Sequence, residues 1–218
     1  MKEPRGSQSA IVGGEELHLL PEKVIWWPEK RTLLLSDLHL GKAGHFRKHG
    51  IAVPSRVHLA DLGLLEDLIV KLGCESVLFL GDLFHSDLNA EWTIFSQWLD
   101  DHRDRDFWLI RGNHDVLPKE VYDRTNLKVS VSYECAPFYF THEKQRHPGL
   151  YNLSGHVHPG VRLNGWGRQG VRLPCFYFGR YHGLMPAFGT FTGLHPIKIF
   201  EGDRVYAIAE QQVIGIST

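Results

Sequence analysis

Apolar positions in the first half of the chain fall in short solid runs. Leu17 to Leu20 and Val24 to Trp27, separated by Pro21, predict the two strands of a leading hairpin. RTLLLS at Arg31 to Ser36, SVLFL at Ser76 to Leu80 and FWLI at Phe107 to Ile110 are continuous apolar runs, the pattern of strands buried on both faces. Between the first two, Val57, Ala60, Leu64, Leu65, Leu68 and Leu72 recur every three or four positions behind Pro54, which suits a first helical turn. That spacing predicts an amphipathic helix from Pro54 to about Leu72. A second helix is expected from Asn89, a good N-cap, to about Trp98. Strands alternating with helices in this order predict right-handed crossovers and a parallel sheet covered by helices.

The second half is patterned differently. Runs at Lys128 to Tyr133, Pro137 to Thr141, Leu150 to Ser154, Phe176 to Phe178, Ile197 to Phe200 and Val205 to Ala209 are separated by Gly and Pro turns. They predict short strands, mainly antiparallel. No internal repeat or long linker divides the halves. The expectation is therefore a disordered tail over residues 1–10 and one α/β domain over 11–218, with two sheets packed face to face.

The predicted strands deliver polar residues at their carboxyl ends, the edge where open α/β sheets bind ligands. Asp37 and His39 follow the first parallel strand, Asp82 the second, and Asn113, His114 and Asp115 the third. His142 closes PFYFT, and His156 and His158 follow LYNLSG. Alternate residues of an extended segment point the same way, so Asp37-x-His39 and His156-x-His158 are each expected to present two ligands to one cation. Asp82, next to the small Gly81, has two oxygens to lend to two cations. A mixed Asp, Asn and His set suits manganese, iron or zinc better than an oxygen-only magnesium or calcium site.

Composition narrows the picture. With 24 basic and 25 acidic residues among 218, the net charge of −1 supplies no general positive field, so nucleic-acid binding would need a local patch. The cysteines Cys74, Cys135 and Cys175 are odd in number and widely spaced, which fits reduced thiols. The opening MKEPRGSQSA lacks a signal-peptide core and no run is long enough to span a bilayer, so a cytoplasmic location is expected. Five of the 14 histidines lie in these motifs; others such as His18, His58, His102 and His195 are expected to be surface or hydrogen-bonded residues, with His182 open between substrate contact and turn packing. Tryptophans in predicted strands and helices are expected in the core.

Taken in order, SDLH, GD, GNHD, FTHE and GHVH resemble the signature of the calcineurin-like metallophosphoesterase superfamily. The resemblance implies two mixed β-sheets packed as a sandwich flanked by helices, in α-β-β-α layers. It also implies two divalent metal ions, Mn2+ first and Fe or Zn as alternatives. Asp37, His39 and His158 would hold one, Asn113, His142 and His156 the other, and Asp82 would bridge them. His114 would face the phosphoryl oxygens and leaving group, with Asp115 orienting its imidazole. Hydroxide between the metals would then attack a phosphate ester.

SDLHLGKAGHFRKHGIAVP and LMPAFGTFTG are similar to a small bacterial branch of DNA-damage-response endonucleases or phosphoesterases associated with a DNA ligase and a helicase. That similarity implies a phosphodiesterase, with a DNA-repair nuclease as one form of it. The basic segment after His39 offers Lys42, His45 and Arg47 as phosphate contacts, and Arg111, just before GNHD, is a further candidate. His85 and Asp87 lie just beyond Asp82, with a capping or loop role for Asp87 at least as favoured. LMPAFGTFTG reads as a structural bend and strand. The competing readings are a phosphomonoesterase or nucleotide pyrophosphatase, and a non-catalytic scaffold on the same fold; the scaffold is disfavoured because every ligand position is filled.

Overall fold

The computed structural model describes residues 4–40, 57–84, 90–164, 170–190 and 192–216. Its first sheet runs β1 (Gln8–Val12), β2 (Glu15–Leu19), β3 (Ile25–Trp27), β4 (Thr32–Leu35), β5 (Ser76–Phe79), β6 (Asp106–Ile110) and β7 (Leu127–Ser130) in that spatial order. The first four strands form an antiparallel meander, and β4 through β7 are parallel. β2 and β3 realise the expected hairpin. The tail expected over residues 1–10 is corrected for residues 4–10: a turn joins Ser7 N–H to Pro4 O, and the QSAIV strand adds β1 to β2 and buries Ala10 and Val12.

Two helices, α1 (Val57–Leu72) and α2 (Ala90–Asp101), make the crossovers, and a one-turn helix, α3 (Lys119–Tyr122), precedes β7. Strand alternation explains the continuous apolar runs. Leu33 and Leu35 of β4, Val77 and Phe79 of β5, and Phe107 and Leu109 of β6 pack with Leu65, Leu68 and Ile69 of α1 and Phe95 and Leu99 of α2. Leu34, Leu78, Leu80 and Ile110, on the opposite face, meet Phe138, Phe140, Phe176 and Phe178 of the second sheet. Each such side chain contributes about 1.5–3 kcal/mol by leaving water. Leu64 points outward, 37% exposed, so the buried stripe of α1 lies over Leu62, Leu65, Leu68, Ile69 and Leu72.

The second sheet contains β8 (Ser132–Cys135), β9 (Phe138–Thr141), β10 (Tyr151–Ser154), β11 (Pro159–Asn164), β12 (Gly170–Phe178), β13 (His182–Leu184), β14 (His195–Pro196), β15 (Arg204–Ala209) and β16 (Gln212–Ile216). Antiparallel pairing prevails, but β10 runs parallel to both β9 and β13. This departure from the mainly antiparallel expectation places the carboxyl ends of β9 and β10 at one edge. No strand forms over the expected Ile197 to Phe200. Instead Ile197 and Ile199 pack on the outer face of the second sheet against Val161, Cys175 and Tyr177. The described helices lie over the first sheet, and over the second this extended segment supplies the outer cover. Cys74 and Cys175 are buried free thiols whose pKa burial raises to about 12. Among the described residues, no helix is long and apolar enough to cross a membrane.

Candidate metal centre

The carboxyl ends of β4, β5, β6, β9 and β10 converge. The first two loops run side by side beyond their strands: Asp37 N–H donates to Gly81 O (3.0 Å), His39 N–H to Asp82 O (2.9 Å) and Leu40 N–H to Leu83 O (2.8 Å). The expected reason for the ligand spacing is corrected here. Asp37, His39, Asp82, His156 and His158 are not in extended backbone; all take positive φ, at 54, 50, 50, 65 and 50°. Left-handed backbone costs a non-glycine residue of order 1–3 kcal/mol, and clusters of it mark functional sites.

Two groups of donor atoms result, each within 4.8 Å: Asp37, His39 and His158, and Asp82, His142 and His156. Asp37 Oδ1 lies 3.2 Å from His158 Nε2, and His156 Nδ1 lies 3.1 Å from His142 Nε2. Asp82 stands between them, with Oδ2 3.9 Å from His39 Nε2 and Oδ1 3.4 Å from His142 Nε2. Carboxylate oxygens and imidazole nitrogens crowded at these distances fit divalent cations, which would replace repulsion between lone pairs with shared coordination.

The remaining hydrogen bonds orient these donors. His142 Nδ1–H donates to Leu80 O at 2.9 Å, a tautomer that leaves the Nε2 lone pair facing the site. Asp37 Oδ2 accepts from the Ser36 hydroxyl and from His156 N–H at 3.0 Å, leaving Oδ1 toward His158. Burial alone would raise the Asp37 pKa, but the adjacent His158 imidazole and the Ser36 hydroxyl, with the nearby His142, hold it below the ordinary carboxylate value. Asp82 Oδ1 accepts from His114 N–H at 3.0 Å.

Glycine makes this convergence possible. A Cβ on Gly81, at φ 87°, would overlap the His142 imidazole, and one on Gly155 would overlap the Ser36 hydroxyl and crowd the Asp37 carboxylate. Behind Asp37, the 185–189 segment is sewn in by Met185 N–H to Ser154 O (2.8 Å), Phe188 N–H to Ser36 O (2.8 Å) and Gly189 N–H to Asp37 O (3.1 Å). Residues 185–189 of LMPAFGTFTG thus form a strut behind the site, and beyond Leu184 the described part of the motif forms no strand.

Other candidates are placed differently. The Asp115 carboxylate accepts from Leu83 N–H (2.9 Å), Phe84 N–H (3.2 Å) and Gly112 N–H (2.8 Å). It braces the Asp82 loop against GNHD; burial is the main cause raising its pKa. The Arg111 guanidinium donates to Asp115 O at 2.8 Å and to Leu117 O at 3.3 Å, which ties it to the loop that follows GNHD. His114 is exposed at the mouth, its ring 5.5 Å from that of His39. Asn113 Nδ2 donates to Glu143 Oε1 at 2.9 Å, and that bond is the main reason Glu143 stays below its ordinary pKa. Glu143, Ser36 and Gly155 were missed in the sequence, although each directly neighbours a motif ligand. Lys42, His45, Arg47, His85 and Asp87 lie outside the described residues.

Comparison with known proteins points the same way. The family model for calcineurin-like phosphoesterases matches residues 30–207. The crystal structure of Pseudomonas putida nuclease MPE is similar with a TM-score of 0.79 and 31% identity, covering 96% of this chain and 100% of that one. Yfce, a phosphoesterase from E. coli, aligns at a TM-score of 0.43 and 12% identity, over 84% of this chain and 96% of that one. A search of curated proteins gives no match.

Proposed function

Because the chain belongs to the calcineurin-like phosphoesterase family, and is therefore a metal-dependent phosphoesterase, we propose that it cleaves phosphodiesters of DNA at a site holding two divalent cations. The observation that carries this reading is the position of Asp82, whose two oxygens face different donor groups, toward His39 and toward His142. Asp37, His39 and His158 would hold one cation, Asn113, His142 and His156 the other, with Asp82 shared. Their nitrogen and oxygen donors suit Mn2+, with Fe and Zn as alternatives.

Divalent cations so held supply Lewis-acid chemistry, acidifying water and neutralising charge on the phosphoryl oxygens. The chain's own residues do the rest. Ser36, Leu80 and the backbone of His156 aim the donors, so little reorganisation is needed when substrate arrives. His114, exposed over the mouth, stabilises charge on the phosphoryl group or protonates the leaving oxygen, and Asp115 fixes its loop. Similarity to a nuclease supports a nucleic-acid diester over a monoester. In that setting a DNA ligase and a helicase are the expected functional associates.

The test is hydrolysis by chelated and Mn2+-reconstituted protein of bis-p-nitrophenyl phosphate, p-nitrophenyl phosphate, single-stranded DNA and duplex DNA. Metal-dependent cleavage of the diester and of DNA is expected. Preference for the monoester would contradict the nuclease reading, and an inert, metal-free protein would contradict catalysis altogether.

A further inference from the structure

Asn152 is a costly residue for its place. It lies in β10, wholly buried, beside Leu153 of the core between the sheets. Asparagine is a poor strand former, and an amide taken out of water destabilises the fold unless its hydrogen bonds are replaced. Here they are all replaced. Asn152 Nδ2 donates to Tyr139 O at 2.9 Å and to Thr141 Oγ1 at 2.8 Å, and Oδ1 accepts from Gln145 N–H at 3.0 Å. Both amide hydrogens and the carbonyl oxygen are thus engaged. The orientation of the amide follows from its partners, because Tyr139 O can only accept and the Gln145 N–H can only donate. That fixes the direction of the next bond as well: Thr141 Oγ1, also fully buried, receives from Asn152 and donates to Glu143 O at 2.7 Å.

Each of these bonds ends on the segment 139–145, and that segment carries His142 and Glu143. Glu143 Oε1 in turn accepts from Asn113 Nδ2 at 2.9 Å. His156 follows Asn152 by four residues at the end of the same strand, where Gly155 N–H donates to His142 O at 3.1 Å. The donors assigned to the second cation, Asn113, His142 and His156, therefore all refer back to one buried amide. Asp37 and His39 of the first cation are held differently, by backbone bonds to Gly81 and Asp82 in which neither Asn152 nor Thr141 takes part.

From this juxtaposition we infer that Asn152 and Thr141 are positioning residues for the second cation. The relay from Gln145 N–H through the Asn152 amide and the Thr141 hydroxyl to Glu143 O sets the turn after β9, and with it the spacing of His142 and Asn113. Buried networks of this kind hold a single geometry when every member is satisfied. The inference rests on the two-cation reading proposed above and gives the second ion a support that the first does not share.

The test is titration of chelated full-length protein with Mn2+, free ion being counted by electron paramagnetic resonance, with melting temperatures read before metal is added. Thr141→Val, which exchanges the hydroxyl for a methyl of similar size, and Asn152→Leu should bind the first equivalent like the parent and the second about tenfold more weakly or worse. If Asn152→Leu does not fold, Thr141→Val decides alone. Thr141→Ser, which keeps the hydroxyl, should bind both ions like the parent. Ile208→Ala opens a cavity in the same core on β15, a strand that supplies no ligand, so it should lower the melting temperature and leave both ions in place. Parent-like binding of the second ion by Thr141→Val, equal weakening of both ions, failure of Thr141→Ser to restore binding, or the same selective loss in Ile208→Ala would each overturn the relay. Saturation of the parent protein at one equivalent would contradict the two-cation reading itself, whereas two equivalents in the parent with no loss in the variants would contradict the relay alone.

Discussion

Asp37, His39, Asp82 and His142, at the floor of the centre, are no more than 5% exposed, whereas Asn113, His114 and His156 around its rim stand open to solvent. The floor is over-determined. Its backbone is pinned by bonds between the β4 and β5 loops, its carboxylates and imidazoles by Ser36, Leu80 and His156, and its rear by the 185–189 segment. The rim is held by fewer ties, among them Asn113 to Glu143 and His156 to His142. A buried floor would fix where cations sit, and an open rim would let a phosphate reach them. Changes at the floor should therefore remove metal and activity together, while changes at the rim should separate the two.

The largest expected effect is at the shared floor residue. Asp82→Ala should lose metal measured by elemental analysis and reduce turnover of bis-p-nitrophenyl phosphate by about a thousandfold or more. Retained metal in that variant would break the contrast. At the rim, His114→Ala should keep its metal and still lose roughly 10²–10⁴-fold in kcat, the range for a lost general acid. Equal loss of metal would make His114 part of the floor.

Next in size is Gly155→Ala. Its new methyl would press on Ser36 and Asp37, lowering stability by about 1–3 kcal/mol in denaturant titrations and weakening metal binding at the same time. A neutral result would show that the floor yields easily. Glu143→Ala acts on the rim through Asn113 and should weaken the second metal by about tenfold, the lower end for an outer-shell partner, with fold stability unchanged. The smallest effect, in the opposite direction, is Gly63→Ala on the exposed side of α1. A Cβ there meets nothing within 4 Å, so it should stabilise by roughly 0.5–1 kcal/mol without touching activity; a loss of activity would mean that the helix communicates with the floor.

The floor was largely legible in the sequence because strand ends announce themselves: RTLLLS, SVLFL and FYFT each stop where a polar residue must face a ligand. What was not legible is how the backbone turns there. The left-handed conformations of Asp37, His39 and His158 depend on partners far along the chain, as with His156 N–H on Asp37 Oδ2, 119 residues away. The direction of Arg111 was not legible for a related reason: side-chain direction follows from packing, and carbonyls of the following loop accept from its guanidinium. Asp115 lies next to His114 in the sequence, yet its carboxylate serves amides 31 and 32 residues earlier. Pattern also located the parallel half of the fold well, while β14 and the extended cover over 197–200 depended on the outer face of the second sheet being unoccupied by the described helices.

The most direct measurement is electron paramagnetic resonance of the chelated protein during titration with Mn2+. The expected result is a spin-coupled pair of ions that builds to two equivalents per chain, with coupling abolished in Asp82→Ala. Saturation at one equivalent with only an isolated-ion signal, or undiminished coupling without Asp82, would contradict two cations sharing that carboxylate.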